Sequence, residues 1–288
     1  MITSQPEPLQ RVDHLAGKVI VITGAASGFG RLVSEMTTAR GAKVVGADID
    51  EIAGETTAAG VRAAGGAMVF RRADVTSKPD MDALAGFAVE QYGAIDVMVN
   101  NAGIMPLAFF ADHATASSAW DRCIDINLKG VLNGITAVYD QMIAQGRGHV
   151  VNISSIYGNF PNAGAAVYTA TKAAVTILSE ALRVESQGRI KVTVVKPTGV
   201  PATGLGAGVV NPEAIIGIVG HHAPSYMTNL MAYVSGELPD DLADADSIRY
   251  WTISPEQLAE QIVYVIDQPW GVSISDITVR ASGEEYVL

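Results

Sequence analysis

The chain holds a single cysteine, Cys123, in 288 residues. One thiol cannot close an intramolecular disulfide, and no second cysteine completes a zinc site with it, so a reducing compartment is expected. Cations are scarce as well: 19 Lys and Arg stand against 30 Asp and Glu, a net charge of −11. A surface of that sign repels phosphate backbones and anionic lipid, which argues against nucleic-acid and membrane partners. Apolar runs stop well short of the roughly 20 residues that span a bilayer. The opening MITSQPEPLQRVDHLAGK carries two prolines where an export signal needs an unbroken apolar stretch, so a cytoplasmic protein is expected. Charged residues are only 17% of the chain and hydrophobic ones 49%, a balance that builds a buried core rather than a disordered chain.

The length admits two domains or one large α/β domain. From Lys18 onward, short β-branched runs alternate with longer segments of helical period, the signature of a parallel sheet covered by helices. Seven strands are expected, beginning near Lys18, Lys43, Ala67, Ile95, His149, Lys191 and Ile274. Helices are expected at about 28–40, 51–64, 77–92, 117–145, 163–187 and 254–268. Ser254-Pro255-Glu256-Gln257 joins an N-cap serine, a first-turn proline and a capping-box glutamine, and Thr76-Ser77 precedes Pro79 in the same manner. No repeat and no linker divides the chain. The expectation is therefore a single doubly wound, seven-stranded parallel sheet with helices on both faces over 16–288, preceded by an extension at 1–15. The roughly fifty residues between Val200 and Ile253 break the rhythm; with two short amphipathic stretches inside them, they read as a lid.

The first strand runs into Thr23-Gly24-Ala25-Ala26-Ser27-Gly28-Phe29-Gly30, followed at once by a helix. Glycine lets backbone approach a phosphate closely, and the free amides and dipole of a helix start favour negative charge, so this turn can hold a pyrophosphate. The alternative is a tight turn that uses glycine for conformation alone. Asp48 ends the second strand 18 residues after Gly30, near the distance at which an acid accepts hydrogen bonds from an adenosine ribose. A 2′-phosphate clashes with Asp48, and its neighbours Ile49 and Ser27 are not basic, so NAD is expected over NADP. Asp50 is the better candidate to cap the next helix.

Tyr168 and Lys172, four apart, share one helix face. A phenol is a weak base with a pKa near 10, and a neighbouring ammonium that stabilises the phenolate brings proton exchange with an alcohol nearer to neutral pH. Ser154 and Ser155 end the fifth strand, where its carboxyl edge opens onto a ligand crevice; hydroxyls there face a substrate or serve as loop chemistry. Asn100-Asn101-Ala102-Gly103 closes the fourth strand similarly, and Asn127 lies amid Ile124, Ile126 and Leu128 in the following helix.

TGAASGFG, Asp48, Asp74-Val75, NNAG, Asn127, Ser155 and the Tyr168/Lys172 pair together resemble the short-chain dehydrogenase/reductase superfamily of the short-subunit, NAD-dependent type, over about residues 16–285. The interval of 13 residues from Ser155 to Tyr168 is usual there, which favours Ser155 over Ser154. The resemblance implies that Gly24, Gly28 and Gly30 bind the pyrophosphate, with Ser27 and Phe29 in the same loop. It places Asp48 and Ile49 at the adenosine ribose, Asp74 and Val75 at the adenine, and Asn101 with Gly103 along the adenosine side. Tyr168 becomes the acid/base and Lys172 holds the nicotinamide ribose. Ser155 bonds the reacting oxygen, and Asn127 holds a water in a proton relay. Pro197, Gly199, Val200 and Thr203 form the carboxamide-binding segment, which here carries an extra residue and a second proline.

The expected activity is therefore NAD-dependent interconversion of an apolar or aromatic secondary alcohol and its ketone. The alternatives are a hydroxysteroid or cyclic terpenoid alcohol dehydrogenase and, from another class, a non-catalytic dinucleotide-sensing regulator. The resemblance also implies a homotetramer built on the helices near 117–145 and 163–187. No metal is expected: adjacent His221 and His222 do not share a helix face and have no chelating partner. Arg71 and Arg72, on the third strand, read as solvated or interface residues rather than as a clamp for NADP. Tyr157, the run Ile104-Met105-Pro106-Leu107 and the lid residues Tyr226, Met227, Leu230 and Met231 are the candidates for an apolar substrate wall.

Overall fold

The computed structural model describes residues 12–201 and 203–286. Seven parallel strands form one sheet in the order β3-β2-β1-β4-β5-β6-β7. They are β1 Val19–Thr23, β2 Lys43–Asp48, β3 Ala67–Arg72, β4 Val97–Asn100, β5 Gly148–Ile153, β6 Ile190–Pro197 and β7 Asp276–Val279. Period-two alternation decides what each strand packs against. Ile20, Ile22, Val44, Val97 and Val99 turn to one face, and Val21, Val45, Met98 and Val150 to the other. The first face is covered by α1 (Gly28–Thr38), α2 (Glu51–Ala63) and α10 (Pro255–Ile266), whose Val33, Ala58, Leu258 and Ile262 are buried there. The second is covered by α3 (Lys78–Tyr92), α5 (Gly130–Ala144) and α6 (Ala166–Glu185), through Leu84, Val138, Val175 and Leu182. This is the doubly wound, single-domain fold expected.

The caps fall where the sequence places them. Ser254 and Gln257 close a reciprocal capping box at α10, Ser77 caps α3 and Asp50 caps α2. The helix expected over 117–145 is different. It divides into α4 (His113–Ile124), a π-helical turn at Asp125–Lys129, and α5. Between β6 and α10 lie α7 (Ile215–Val219), α8 (Ala223–Ser235) and α9 (Asp240–Ala243). Most of the extension expected at 1–15 lies outside the described residues; its end is packed, with Leu15 fully buried and the His14 amide donating to Asp267. Among the described residues, no helix is long and apolar enough to cross a membrane.

Strand β1 has β2 on one side and β4 on the other, so the winding reverses between β1 and β4. Helices leave in opposite directions from such a point, which opens a crevice at the carboxyl ends of the strands.

Candidate active site

That crevice is a cleft of about 510 Å³. One end is the glycine turn, with Gly24 and Gly28 at positive φ, 68° and 51°, where a side chain is disfavoured. A Cβ on Gly30 falls 2.1 Å from the Gly24 carbonyl oxygen, so the first turn of α1 closes only on glycine. Asn101 braces the turn from β4, its Nδ2 donating to the carbonyls of Thr23 (2.9 Å) and Gly24 (3.2 Å). The Asp48 carboxylate faces the loop, accepting from the amides of Ala26 and Asp50, both at 3.1 Å. Ser27, Phe29, Ile49, Asp74 and Val75 line the same end. Gly103, Tyr168, Lys172, Pro197 and Thr203 line the cleft as well.

Beyond Gly103 the polar side chains are buried. Tyr168 is 4% exposed and Lys172 5%. Lys172 Nζ donates to the Ile153 carbonyl at 2.8 Å and lies 5.7 Å from the centre of the Tyr168 ring. Burial pushes the lysine down to about 8, because a charge in this apolar surrounding loses its hydration. The tyrosine moves in the opposite direction to that expected. Burial pushes it up to about 12, with a hydrogen bond to the Ser155 hydroxyl pulling the other way and the neighbouring Cys123 thiol adding a smaller upward push. Both shifts are desolvation of the charged form.

The two serines separate by partner. Ser154 Oγ donates to the Lys172 carbonyl at 2.8 Å and lies 3.2 Å from Thr176 Oγ1, which ties it to the α6 backbone. Ser155 Oγ accepts from the Tyr157 amide at 3.2 Å and remains beside Tyr168. Ser155 sits behind the cleft wall, 3% exposed, whereas Ser154 lines it. Asn127, fully buried, comes from the π-helical turn. Its amide pairs with the backbone of Ile104, accepting at 2.9 Å and donating at 2.8 Å, and its Nδ2 also reaches Cys123 Sγ and Thr171 Oγ1, each at 3.3 Å. The extra turn residue is what rotates this amide into the protein, and a buried amide demands such partners.

Some expected contacts fall elsewhere. Gly199 and Val200 do not line the cleft: Gly199 lies beneath the Tyr286 hydroxyl, and Val200 packs on the α1/α10 face of the sheet. Thr203 does line it, donating to the Val200 carbonyl at 3.3 Å. On the expected apolar wall, Ile156, Tyr157, Leu107, Ile218 and Val219 cluster around Tyr168, with Ile104, Met105 and Tyr226 against them. Met227 and Met231 face solvent instead, 44% and 66% exposed, because α8 turns only its Tyr226 side inward. Arg71 and Arg72 are exposed, and no group of His, Cys, Asp and Glu able to hold a metal occurs among the described residues. The sequence reading missed Arg122 and Asp125, which reach the cleft from the end of α4 and the π turn, and Leu205. No local pattern marks them, because three separate segments bring them to one cleft.

The model of a family described as short chain dehydrogenase matches residues 18–213, well over half of the chain. The chain belongs to the short-chain dehydrogenase family. An uncharacterized oxidoreductase of Listeria innocua is 34% identical over 265 residues, 92% of this chain and 96% of that one. The 2,5-dichloro-2,5-cyclohexadiene-1,4-diol dehydrogenase LinX of Sphingobium indicum is 38% identical over 188 residues, 65% of this chain and 74% of its own. Among solved structures, a short-chain dehydrogenase/reductase from Burkholderia phymatum in complex with NAD superimposes with a TM-score of 0.73 at 28% identity, over 93% of this chain and 90% of that one. A metagenomic short-chain oxidoreductase in complex with NADP gives 0.69 at 26% identity, over 92% and 97%. This chain is thus an oxidoreductase of the short-chain dehydrogenase family. The likeness supports dinucleotide binding and leaves the choice of dinucleotide to the residues around Asp48.

Proposed function

We propose that this oxidoreductase interconverts an apolar or aromatic secondary alcohol and its ketone with NAD. The observation that carries the reading is the pairing, in one cleft, of a glycine turn facing an acid at one end with a buried phenol and ammonium at the other, the Ser155 hydroxyl bonded to that phenol from behind the wall. The glycine cradle fits a pyrophosphate, since the approach a Cβ would block is left to the backbone. Gly24, Ser27, Gly28, Phe29 and Gly30 hold that group, Asp48 with Ile49 the adenosine ribose, and Asp74 with Val75 the adenine. Asn101 and Gly103 flank the middle of the cleft, and Pro197 and Thr203 its nicotinamide end.

A bound nicotinamide ring supplies the carbon that accepts or returns a hydride. The chain's own groups manage the proton. Tyr168 Oη takes it from the alcohol oxygen as the carbon–hydrogen bond gives up its electron pair, and returns it when a ketone is reduced. Lys172 brings positive charge close to that phenol and lowers the cost of the phenolate once a ligand hydroxyl competes with Ile153 for its ammonium. Ser155 holds the reacting oxygen, and Asn127 anchors the relay behind Lys172. The enclosed, apolar setting strengthens each of these interactions.

The apolar cluster around Tyr168 supports a ring-sized apolar substrate, and the relative from Sphingobium indicum is named for a ring diol. A hydroxysteroid or cyclic terpenoid differs only in bulk. Exposed Ile177 and Val184 on α6 and Leu132 on α5 support association into a homotetramer, which light scattering after size exclusion tests. The decisive experiment mixes the protein with NAD and a panel of secondary alcohols and follows NADH absorbance. NADH forms with the native chain, while Tyr168→Phe loses about 10²–10⁴-fold in rate and keeps its cofactor affinity. Silence across the panel with NAD still bound supports the dinucleotide sensor instead.

A further inference from the structure

The stretch after β7 returns to the substrate side and meets α8 there. Glu285 Oε2 accepts from the Trp251 indole at 2.8 Å and from Asn229 Nδ2 of α8 at 3.1 Å. The hydroxyls of Tyr226, also on α8, and Tyr286 lie 3.1 Å apart. The Tyr286 ring meets Tyr157 edge to face at 6.1 Å, two residues beyond Ser155. Its hydroxyl lies so near Gly199 that a Cβ there falls 1.6 Å from it. Two consecutive side chains thus touch α8, the loop after β5 and the strand end after β6 at once.

These contacts are costly to lose. A carboxylate that accepts from a buried indole makes a charge-assisted bond, and the alternative is an unpaired donor at Trp251, 3% exposed. The adjoining Glu284 is held by Arg280 at 2.5 Å, which anchors the stretch from the other side. With all of it in place, Tyr168 and Ser155 are shut away from solvent.

We propose that Glu285 and Tyr286 are positioning residues for the reaction: they clasp α8 over the substrate side and set the space that the alcohol enters. The kinetic consequence rests on the alcohol-oxidising reading given above; the clasp itself does not.

Hydrogen–deuterium exchange on the full chain with NAD present tests it without a known substrate. Tyr286→Phe and Tyr226→Phe each remove one hydroxyl pair, and each is expected to speed exchange of the α8 amides about five- to tenfold while β5 and α6 are unchanged. The double variant should be no faster than either single one, since both break one bond. Glu285→Ala speeds α8 likewise, and Glu285→Gln, which keeps an acceptor, restores most of the protection. With an alcohol substrate, Tyr286→Phe raises KM about tenfold and leaves kcat and NADH affinity within about twofold. Unchanged α8 exchange, additive effects of the two tyrosines, or acceleration spread over the whole chain overturns the clasp. A silent alcohol panel beside the expected exchange pattern removes the proposed reaction and keeps the clasp.

Discussion

Lys172 Nζ stands 5.7 Å from the centre of the Tyr168 ring, yet its hydrogen bond goes to the carbonyl of Ile153. The ammonium is therefore anchored to the end of β5 beside the phenol ring. Both groups sit where their charged forms are disfavoured, the lysine lowered to about 8 and the tyrosine raised to about 12. Ionisable groups kept in such surroundings cost stability, and that cost can be measured.

Lys172 has a lower pKa folded than unfolded, so the unfolded chain binds more protons between about 8 and 10.5 and stability rises with pH across that window. Below it, the buried charge is a net cost. Lys172→Met should raise the stability of the cofactor-free protein at pH 7 by about 1–2 kcal/mol, the lost bond to Ile153 offsetting part of the gain. Calorimetry at pH 7 and pH 10 checks this: the advantage narrows at the higher pH, and a lower melting temperature at pH 7 contradicts it. Activity should fall at least a hundredfold.

Asp48 faces the glycine turn and accepts two backbone amides. Asp48→Ala removes the carboxylate that repels a 2′-phosphate, and kcat/KM with NADP should gain at least tenfold relative to NAD. The two orphaned amides cost about 1–2 kcal/mol; each used a different carboxylate oxygen, so Asp48→Asn, with one acceptor oxygen, recovers only one of the two bonds. A native protein that already prefers NADP would contradict this account of the acid.

His149, the second residue of β5, is buried, with Nε2 2.8 Å from Thr193 Oγ1 and Nδ1 without a partner among the described residues. Loss of hydration, with Lys191 and Lys18 nearby, holds its pKa well below the usual value of 6.5. The unfolded chain takes up a proton that the folded chain refuses. This contribution is complete above about pH 6.5 and drains away below it, at up to ~1.4 kcal/mol per pH unit. Urea midpoints from pH 7 to pH 5 should fall steeply for the native chain and less steeply for His149→Asn.

Gly30→Ala places a methyl group 2.1 Å from the Gly24 carbonyl oxygen, and the obstacle is backbone, so the turn must open. A loss of about 2–4 kcal/mol in thermal stability and at least a tenfold weaker NAD titration are expected. Gly60→Ala, whose Cβ meets nothing within 4 Å on α2, serves as the control: NAD binding is unchanged and stability rises by about 0.5–1 kcal/mol.

Much of the site was legible because its parts are local. The glycine turn, the acid closing β2 and the four-residue spacing of Tyr168 and Lys172 each depend on a few consecutive residues and on the periods of strand and helix. In the sequence, Ser155 is favoured over Ser154 only through the interval usual in the family the chain resembles; the packing of α6 is what shows which hydroxyl is taken by the Lys172 carbonyl. The helix written as one piece over 117–145 holds a π turn that no periodicity announced, because one extra residue in the spiral leaves the apolar pattern nearly intact. Spacing brings an ammonium near Tyr168, but how far burial raises the phenol depends on the side chains from distant segments that pack around it.

The amino-acid order alone set the alternation of strands and helices, the position of the glycine turn and the absence of a thiol pair, all of which follow from near neighbours and composition. Folding in three dimensions decided which residue 60 positions away meets Tyr226, which face of α8 turns inward, and how little water reaches Tyr168. Hydrogen bonds and desolvation depend on what stands within a few ångströms, and between distant segments that is a property of the packed chain.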